Sequence, residues 1–198
     1  MKKKIMAVAL CGALILSLTG CFGGSKIAPS KLLSYGKDSG ATVYTEDEYK
    51  KIMNDNVQGT FVVNVSKDNI SSFMQEGGMS LESSGVTNDQ ISEMTFYVKD
   101  NSGESSMAMA FAFNSKDAGE KFFSKYKETL DSFSQLGAKI NEGEESGLKF
   151  MSMSMSLGES SSNMIVYTDG TNILIISGSE ADANEMVSGL KLPAAVAK

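Results

Sequence analysis

The sequence predicts an α+β fold in which a mainly antiparallel β-sheet carries helices packed on one face. Short segments with an apolar residue at every second position recur along the chain, a spacing typical of half-buried strands. Turn residues such as Asp100–Gly103 and Asp169-Gly170 separate pairs of these segments and favour hairpins. Segments with apolar residues at i, i+3 and i+4 follow the pairs and indicate helices.

The domain is predicted to occupy residues 44–192 as one folded unit. Thr45–Glu48 has the form of a capping box, so a short helix is expected to begin there. Alternating apolar residues predict a strand over Gly59–Val65, and Ser66 then caps a second short helix. The polar, glycine-rich stretch Gly77–Ser92 is interpreted as a surface loop.

The second half of the domain carries the clearest periodicity. Its predicted strands are Met94–Lys99, Met107–Phe113, Lys149–Leu157, Met164–Thr168 and Ile173–Ser177. A long helix is predicted from about Lys116 to Gln135, and a last helix from Ser179. Residues 193–198 are interpreted as a C-terminal tail, because Pro193 prevents the helix from continuing.

A short internal similarity in the sequence is compatible with a duplicated ββα unit. Residues 113–120 resemble residues 176–185, since each segment leaves a predicted hairpin and enters a helix through an Asp-Ala-x-Glu step. The match is short and needs a gap, so convergent helix-start chemistry remains the alternative.

The N-terminus has the parts of an export signal. Lys2, Lys3 and Lys4 precede an apolar run, Ile5–Leu18, which falls short of the roughly 20 residues that span a bilayer core. The segment that follows, Leu18-Thr19-Gly20-Cys21, resembles the lipobox of bacterial membrane lipoproteins. The resemblance implies that residues 1–20 are a signal peptide cleaved between Gly20 and Cys21, and that the Cys21 thiol carries a lipid.

A lipid anchor would place the protein on the extracytoplasmic face of the cell membrane. Two or more acyl chains hold a protein stably on a bilayer without help from the folded domain. In a cell with two membranes, Phe22 after the lipidated cysteine would resemble an outer-membrane sorting signal. Residues 21–43 are then interpreted as the lipidated cysteine and a flexible tether, since they are rich in Gly, Ser and Lys and lack apolar periodicity.

The composition of the mature chain excludes several classes of function. Removing residues 1–20 leaves 15 lysines against 24 acidic residues, a net side-chain charge of −9, which disfavours nucleic acid as a partner. No cysteine follows Cys21 and the chain has no His or Arg, so His- or Cys-based zinc sites and a Ser-His-Asp triad are excluded. No cofactor is predicted.

Methionine is the most unusual feature of the composition. Met151, Met153 and Met155 lie on one face of a predicted strand, and Met107 and Met109 are expected on a neighbouring strand. Thioethers are soft ligands that suit Cu(I), so these five residues form a candidate copper site. Period-two methionine is also what a half-buried strand shows when Met fills the core, and core packing is the preferred interpretation.

Acidic and serine–lysine patterns offer weaker candidates. Asp100, Ser102 and Glu104 cluster in one predicted turn, and Glu142, Glu144 and Glu145 in another. Neither run matches a full calcium loop, so both are interpreted as solvated turns. The S-x-x-K pattern of serine acyl-enzymes occurs at four places: Ser34–Lys37, Ser124–Lys127, Ser146–Lys149 and Ser188–Lys191. Such matches arise by chance in a serine-rich chain.

These observations together favour a lipid-anchored, non-enzymatic domain that binds an envelope protein or peptide, or serves an envelope structure. The alternatives are a Met-based Cu(I)-binding lipoprotein and, less favoured, a hydrolase that uses carboxylates or a Ser/Lys pair.

Overall fold

The computed structural model describes residues 24–52, 59–76, 84–101, 104–157 and 160–195. The signal segment, Gly20 and Cys21 lie outside these ranges. The helices are α1 Pro29–Asp38, α2 Glu46–Ile52, α3 Ile70–Glu76, α4 Lys116–Ser134 and α5 Glu180–Gly189. The strands are β1 Thr42–Tyr44, β2 Phe61–Ser66, β3 Ile91–Asn101, β4 Glu104–Phe113, β5 Lys139–Glu145, β6 Leu148–Leu157, β7 Ser160–Thr168 and β8 Asn172–Gly178.

The strands form one eight-stranded sheet in the order β1-β2-β3-β4-β8-β7-β6-β5. Every neighbouring pair is antiparallel except β1 and β2, which run parallel. The predicted α+β class with a mainly antiparallel sheet is therefore confirmed. The Asp169-Gly170 hairpin is also confirmed, since Gly170 has a φ of +98° and the Asp169 carboxylate accepts from the amides of Thr171 and Asn172.

Helices cover both faces of the sheet, and the expectation that they pack on one face is wrong. The first face holds the side chains of Phe96, Met109, Val166 and their neighbours, packed against α2, α3 and α4. The second face holds their sequence neighbours, such as Tyr97, Ala108 and Ile165, packed against α1 and α5. The central strands are apolar on both sides because they are buried on both sides.

Helix α1 lies inside the segment assigned to a flexible tether, residues 21–43, so that assignment is wrong from Ile27 onward. Pro29 starts the helix at a position where its missing N–H costs nothing. Leu32 is buried on the second face. Gly36 lets the helix approach Val62, because a Cβ there would lie 2.9 Å from the Val62 Cβ. The segment shows little apolar periodicity because a leucine and a glycine make these contacts.

Two further predicted boundaries differ from the structure. Strand β5 occupies the sequence interpreted as an acidic turn, and it pairs along its length with β6. The predicted tail, residues 193–198, is packed on the second face as far as Ala195, which is fully buried. There the Pro193 carbonyl accepts a 2.6 Å hydrogen bond from the Tyr167 hydroxyl, and the Ala195 carbonyl accepts one from Ser152.

The two ββα successions, β3-β4-α4 and β7-β8-α5, both exist, but their helices cover opposite faces of the sheet. Phe113 at the end of β4 belongs to the first face, whereas Ile176, its counterpart in β8, belongs to the second. Both helices begin with a capping serine, Ser115 and Ser179, that accepts from an amide three residues later. Shared helix-start chemistry accounts for the similarity.

Candidate functional site

The five candidate copper ligands are not brought together. Strands β4 and β6 are separated in the sheet by β8 and β7. At about 4.8 Å per strand spacing, Met109 on β4 stands roughly 14 Å from Met151 on β6. The placement of Met107 and Met109 beside the β6 methionines is therefore wrong.

Most of these methionines fill the first-face core, as the packing interpretation expects. Met151 and Met153 are buried, Met109 is buried, and Met155 is partly buried against the same cluster. Met107 is the exception, with 36% of its surface exposed. Met164 on β7 pairs directly with Met153. The sequence does not reveal this pairing, because it depends on the register between β6 and β7.

A charged network lies on the second face, where α5 meets β3 and β4. Lys99 of β3 contacts the Asp182 carboxylate at 2.8 Å and the Glu185 carboxylate at 2.5 Å. The other oxygen of Asp182 accepts hydrogen bonds from Ser106 at 2.8 Å and from Ser179 at 3.0 Å. The Asp182 side chain is only 7% exposed, whereas that of Glu185 is 58% exposed.

The network fixes the protonation of its members. Burial alone would raise the pKa of Asp182, but hydrogen bonds from Lys99, Ser106 and Ser179 outweigh it and hold that pKa below its usual value. Hydrogen bonds to Asp182 and Glu185 raise the pKa of Lys99. Lys99 therefore stays protonated and Asp182 ionised at neutral pH, which suits a structural ion pair rather than a proton-transfer pair.

A groove of about 670 Å³ runs along the first face between α4 and the β5–β6 hairpin. We call it the acidic groove, because its charged lining consists of Glu120, Glu128, Asp131, Glu142, Glu144, Asp169, Lys116, Lys127 and Lys149. Glu142 and Glu144 lie two residues apart on β5 and so share the side of the strand that faces α4. Six carboxylates against three lysines give the groove a net negative charge.

The groove contains one serine–lysine pattern, Ser124 and Lys127, on the exposed side of α4. Lys127 forms an ion pair with Glu142, and this hydrogen bond raises the pKa of Lys127. A lysine that acts as a general base needs a lowered pKa, usually obtained by burial. The arrangement therefore opposes a Ser/Lys hydrolase mechanism at this place.

The remaining patterns do not converge on a catalytic geometry. Ser34 and Lys37 are exposed on α1, Ser146 lies in the β5–β6 turn with a φ of +55°, and Ser188 is exposed at the end of α5.

The two acidic runs separate in the same way. The Asp100 carboxylate accepts a hydrogen bond from the Gly59 amide, Ser102 lies outside the described residues, and the side chain of Glu104 does too. Glu145 is exposed at the end of β5 and does not line the groove. Among the described residues no group of three or more Asp or Glu side chains is placed to hold a metal ion.

Comparison of the chain with protein-family models, with curated proteins and with solved structures finds no match. In the described part of the chain, no helix combines the length and the apolar character needed to cross a bilayer. Within the ranges that the structure describes, the acidic groove is the candidate site, because it gathers charged side chains of α4, β5 and β6 around one concave surface. The sequence missed it because α4 and β5 come together only in the folded chain.

Proposed function

We propose that this chain is a lipid-anchored extracytoplasmic protein without enzymatic activity, and that its acidic groove binds a cationic segment of an envelope protein or peptide. The groove is the observation that carries the binding role. Its volume is about 670 Å³, and its excess of carboxylates complements lysine or arginine side chains.

The chemistry of the groove supports binding over catalysis. Its lysine beside a serine is held protonated by Glu142, and the chain has no histidine to serve as a base near neutral pH. Carboxylates on a helix and on a paired strand can instead hold a cationic ligand by several ion pairs at once.

Residues Leu18–Cys21 support the anchor. Replacing Cys21 by Ser is expected to abolish incorporation of a fatty-acid probe during growth and to leave the signal segment uncleaved, because the thiol is the lipid acceptor in a lipobox. The matched control is Cys11→Ser, which removes the other cysteine of the chain and should leave labelling intact. Label retained by the Cys21→Ser protein would contradict the anchor.

Charge reversal tests the groove. The detergent-solubilised double variant Glu120→Lys/Glu144→Lys should bind a fluorescent hexalysine peptide at least tenfold more weakly than the unmodified lipoprotein. The reason is that two attractive ion pairs with the peptide are replaced by repulsive contacts. A hexaglutamate peptide serves as the probe of opposite charge and should not bind the unmodified protein. Fluorescence anisotropy at low ionic strength measures both affinities.

The control for this experiment separates the groove from net charge. Asp47 on α2 and Glu180 on α5 are exposed and do not line the groove, so Asp47→Lys/Glu180→Lys changes the net charge equally. If this control weakened hexalysine binding as much as the groove variant did, a specific groove would be refuted.

A second candidate function is Cu(I) binding, favoured by the direct pairing of Met153 with Met164 beside Met155. Met164 and Met155 are both partly buried on the first face. Thioethers on adjacent strands can share a soft cation.

A further inference from the structure

Three lysines surround the end of the described chain that lies nearest to Cys21. A cavity of about 450 Å³ between α1 and the end of α5 is lined by Lys26, Lys31 and Lys191, and Asp38 is the one carboxylate in its lining. All three lysines are exposed. We call this surface the basic patch.

The basic patch is held firmly by the fold. Ile27, next to Lys26, is 1% exposed in the second-face core, so the chain is fixed from that residue onward. Helices α1 and α5 lie close together beside the patch. Their closeness requires glycine at position 189, since a Cβ on Gly189 would lie only 2.4 Å from the Tyr35 ring. Lys191 follows α5 with a φ of +54°, a conformation that normally favours glycine.

The length of chain before Ile27 keeps the patch close to any anchor at Cys21. Lys26 is five residues after Cys21, and an extended chain spans at most about 3.5 Å per residue, so their Cα atoms are within about 18 Å. An anchored Cys21 lies at the level of the lipid headgroups. Fixed lysines within one or two Debye lengths of a charged surface feel its potential.

The distribution of charge over the two faces also favours an orientation with the basic patch toward the membrane. The basic patch lies on the second face with α1 and α5, while the acidic groove lies on the first face with α4. A negatively charged bilayer attracts the patch and repels the groove. The groove then faces away from the membrane, where a ligand can reach it.

We propose that the basic patch of Lys26, Lys31 and Lys191 docks on the anionic headgroups of the bilayer that carries the Cys21 lipid. This inference rests on the lipid anchor in the proposed function. It replaces the flexible tether expected over residues 21–43 by a domain that lies on the lipid surface. The ligand chemistry is the phosphate of an anionic phospholipid in a membrane plane.

Lysine reactivity tests the docking on the mature lipoprotein reconstituted into vesicles. A water-soluble amine-reactive reagent is applied to vesicles rich in phosphatidylglycerol and to vesicles of phosphatidylcholine alone, and mass spectrometry reads each lysine. Lys26, Lys31 and Lys191 should react at least threefold more slowly on the anionic vesicles, and high salt should remove the difference. Lys51 on α2 and Lys139 on β5 are exposed internal controls that should react equally on both.

Two outcomes overturn the docking in distinguishable ways. If the protein floats with both kinds of vesicle but the three lysines react equally on both, the docking is wrong and the anchor stands. If the protein floats with neither, the anchor is wrong and the docking is wrong with it.

Lys191→Gly removes one charge of the patch without straining the fold, because glycine suits the left-handed backbone at that position. Its melting temperature should be unchanged or higher. Each lysine near an anionic surface contributes about a fivefold factor to the bound population, so most of the protection of Lys31 should be lost in this variant. Unchanged protection of Lys31 would show that Lys191 takes no part and would overturn the three-lysine surface.

Discussion

Replacing Asp182 by Ala is expected to lower the free energy of unfolding by about 3 kcal/mol, because the change leaves Lys99 and two serine hydroxyls without their shared acceptor. The Asp182 side chain is 7% exposed, so water does not replace the lost interactions well. The network also joins the start of α5 to β3 and β4, so the variant loses the hydrogen bond from Ser106 of β4 and keeps only the Lys99–Glu185 ion pair to β3. Chemical denaturation followed by circular dichroism measures the effect.

Glu185→Ala is the matched control, since it removes the other carboxylate partner of the same lysine. Glu185 is 58% exposed, and an exposed ion pair contributes about 0–1 kcal/mol. If Glu185→Ala lowered the free energy of unfolding as much as Asp182→Ala does, the burial of Asp182 would not explain its contribution to stability.

The same network makes the free energy of unfolding depend on pH in the acid range, and the sign of this dependence follows from the pKa of Asp182. Because the pKa of Asp182 is lowered in the folded state, its contribution is fully present above the unfolded value of about 3.9 and is lost as the pH falls through the folded pKa. The difference in unfolding free energy between the unmodified protein and Asp182→Asn should therefore shrink as the pH falls below about 4.

Replacing Met153 by Ala is expected to cost about 2–5 kcal/mol, the range for truncating a buried methionine. Met153 is 9% exposed in the first-face cluster that also contains Leu130 of α4, so its removal opens a cavity between sheet and helix. Met153→Leu conserves the volume and should cost less than about 1.5 kcal/mol. Thermal melts of the two variants measure the contrast.

The same two variants decide between packing and copper. If Met153 binds Cu(I) together with Met155 and Met164, Cu(I) under reducing conditions should stabilise the unmodified protein, and Met153→Leu should lose that gain because it keeps the fold and removes the sulfur. If Met153 only packs, Cu(I) should leave the melting temperatures of both unchanged. A gain of several degrees confined to the unmodified protein would refute the packing-only interpretation.

Local patterns predicted the elements whose periodicity and caps lie within a few residues. The long helix was predicted over Lys116–Gln135 and observed over Lys116–Ser134, because Ser115 caps it and its apolar stripe is continuous. The β7–β8 hairpin was predicted from Asp169-Gly170, whose turn chemistry is local. The burial of Met151 and Met153 follows from the period-two pattern of β6.

Tertiary contacts decided the elements that the patterns missed. Helix α1 is stabilised through Leu32 and the close approach of Gly36 to Val62, a contact between residues far apart in the chain. Strand β5 has an acidic, mostly exposed sequence and exists because β6 offers it an unpaired edge. Neither interaction leaves a periodic signal in its own segment.

The sequence by itself determined the α+β class, the β3–β4 and β7–β8 hairpins, the lipobox-like segment and the absence of histidine, arginine and later cysteines, because each depends on residue identity or on neighbours along the chain. Only the tertiary structure decided which face each helix covers, which methionines are neighbours and where charges gather. The acidic groove and the basic patch each combine segments distant in sequence, α4 with β5 and α1 with the end of α5. Side chains from such segments meet only when the sheet order is fixed, and that order depends on the pairing of all eight strands.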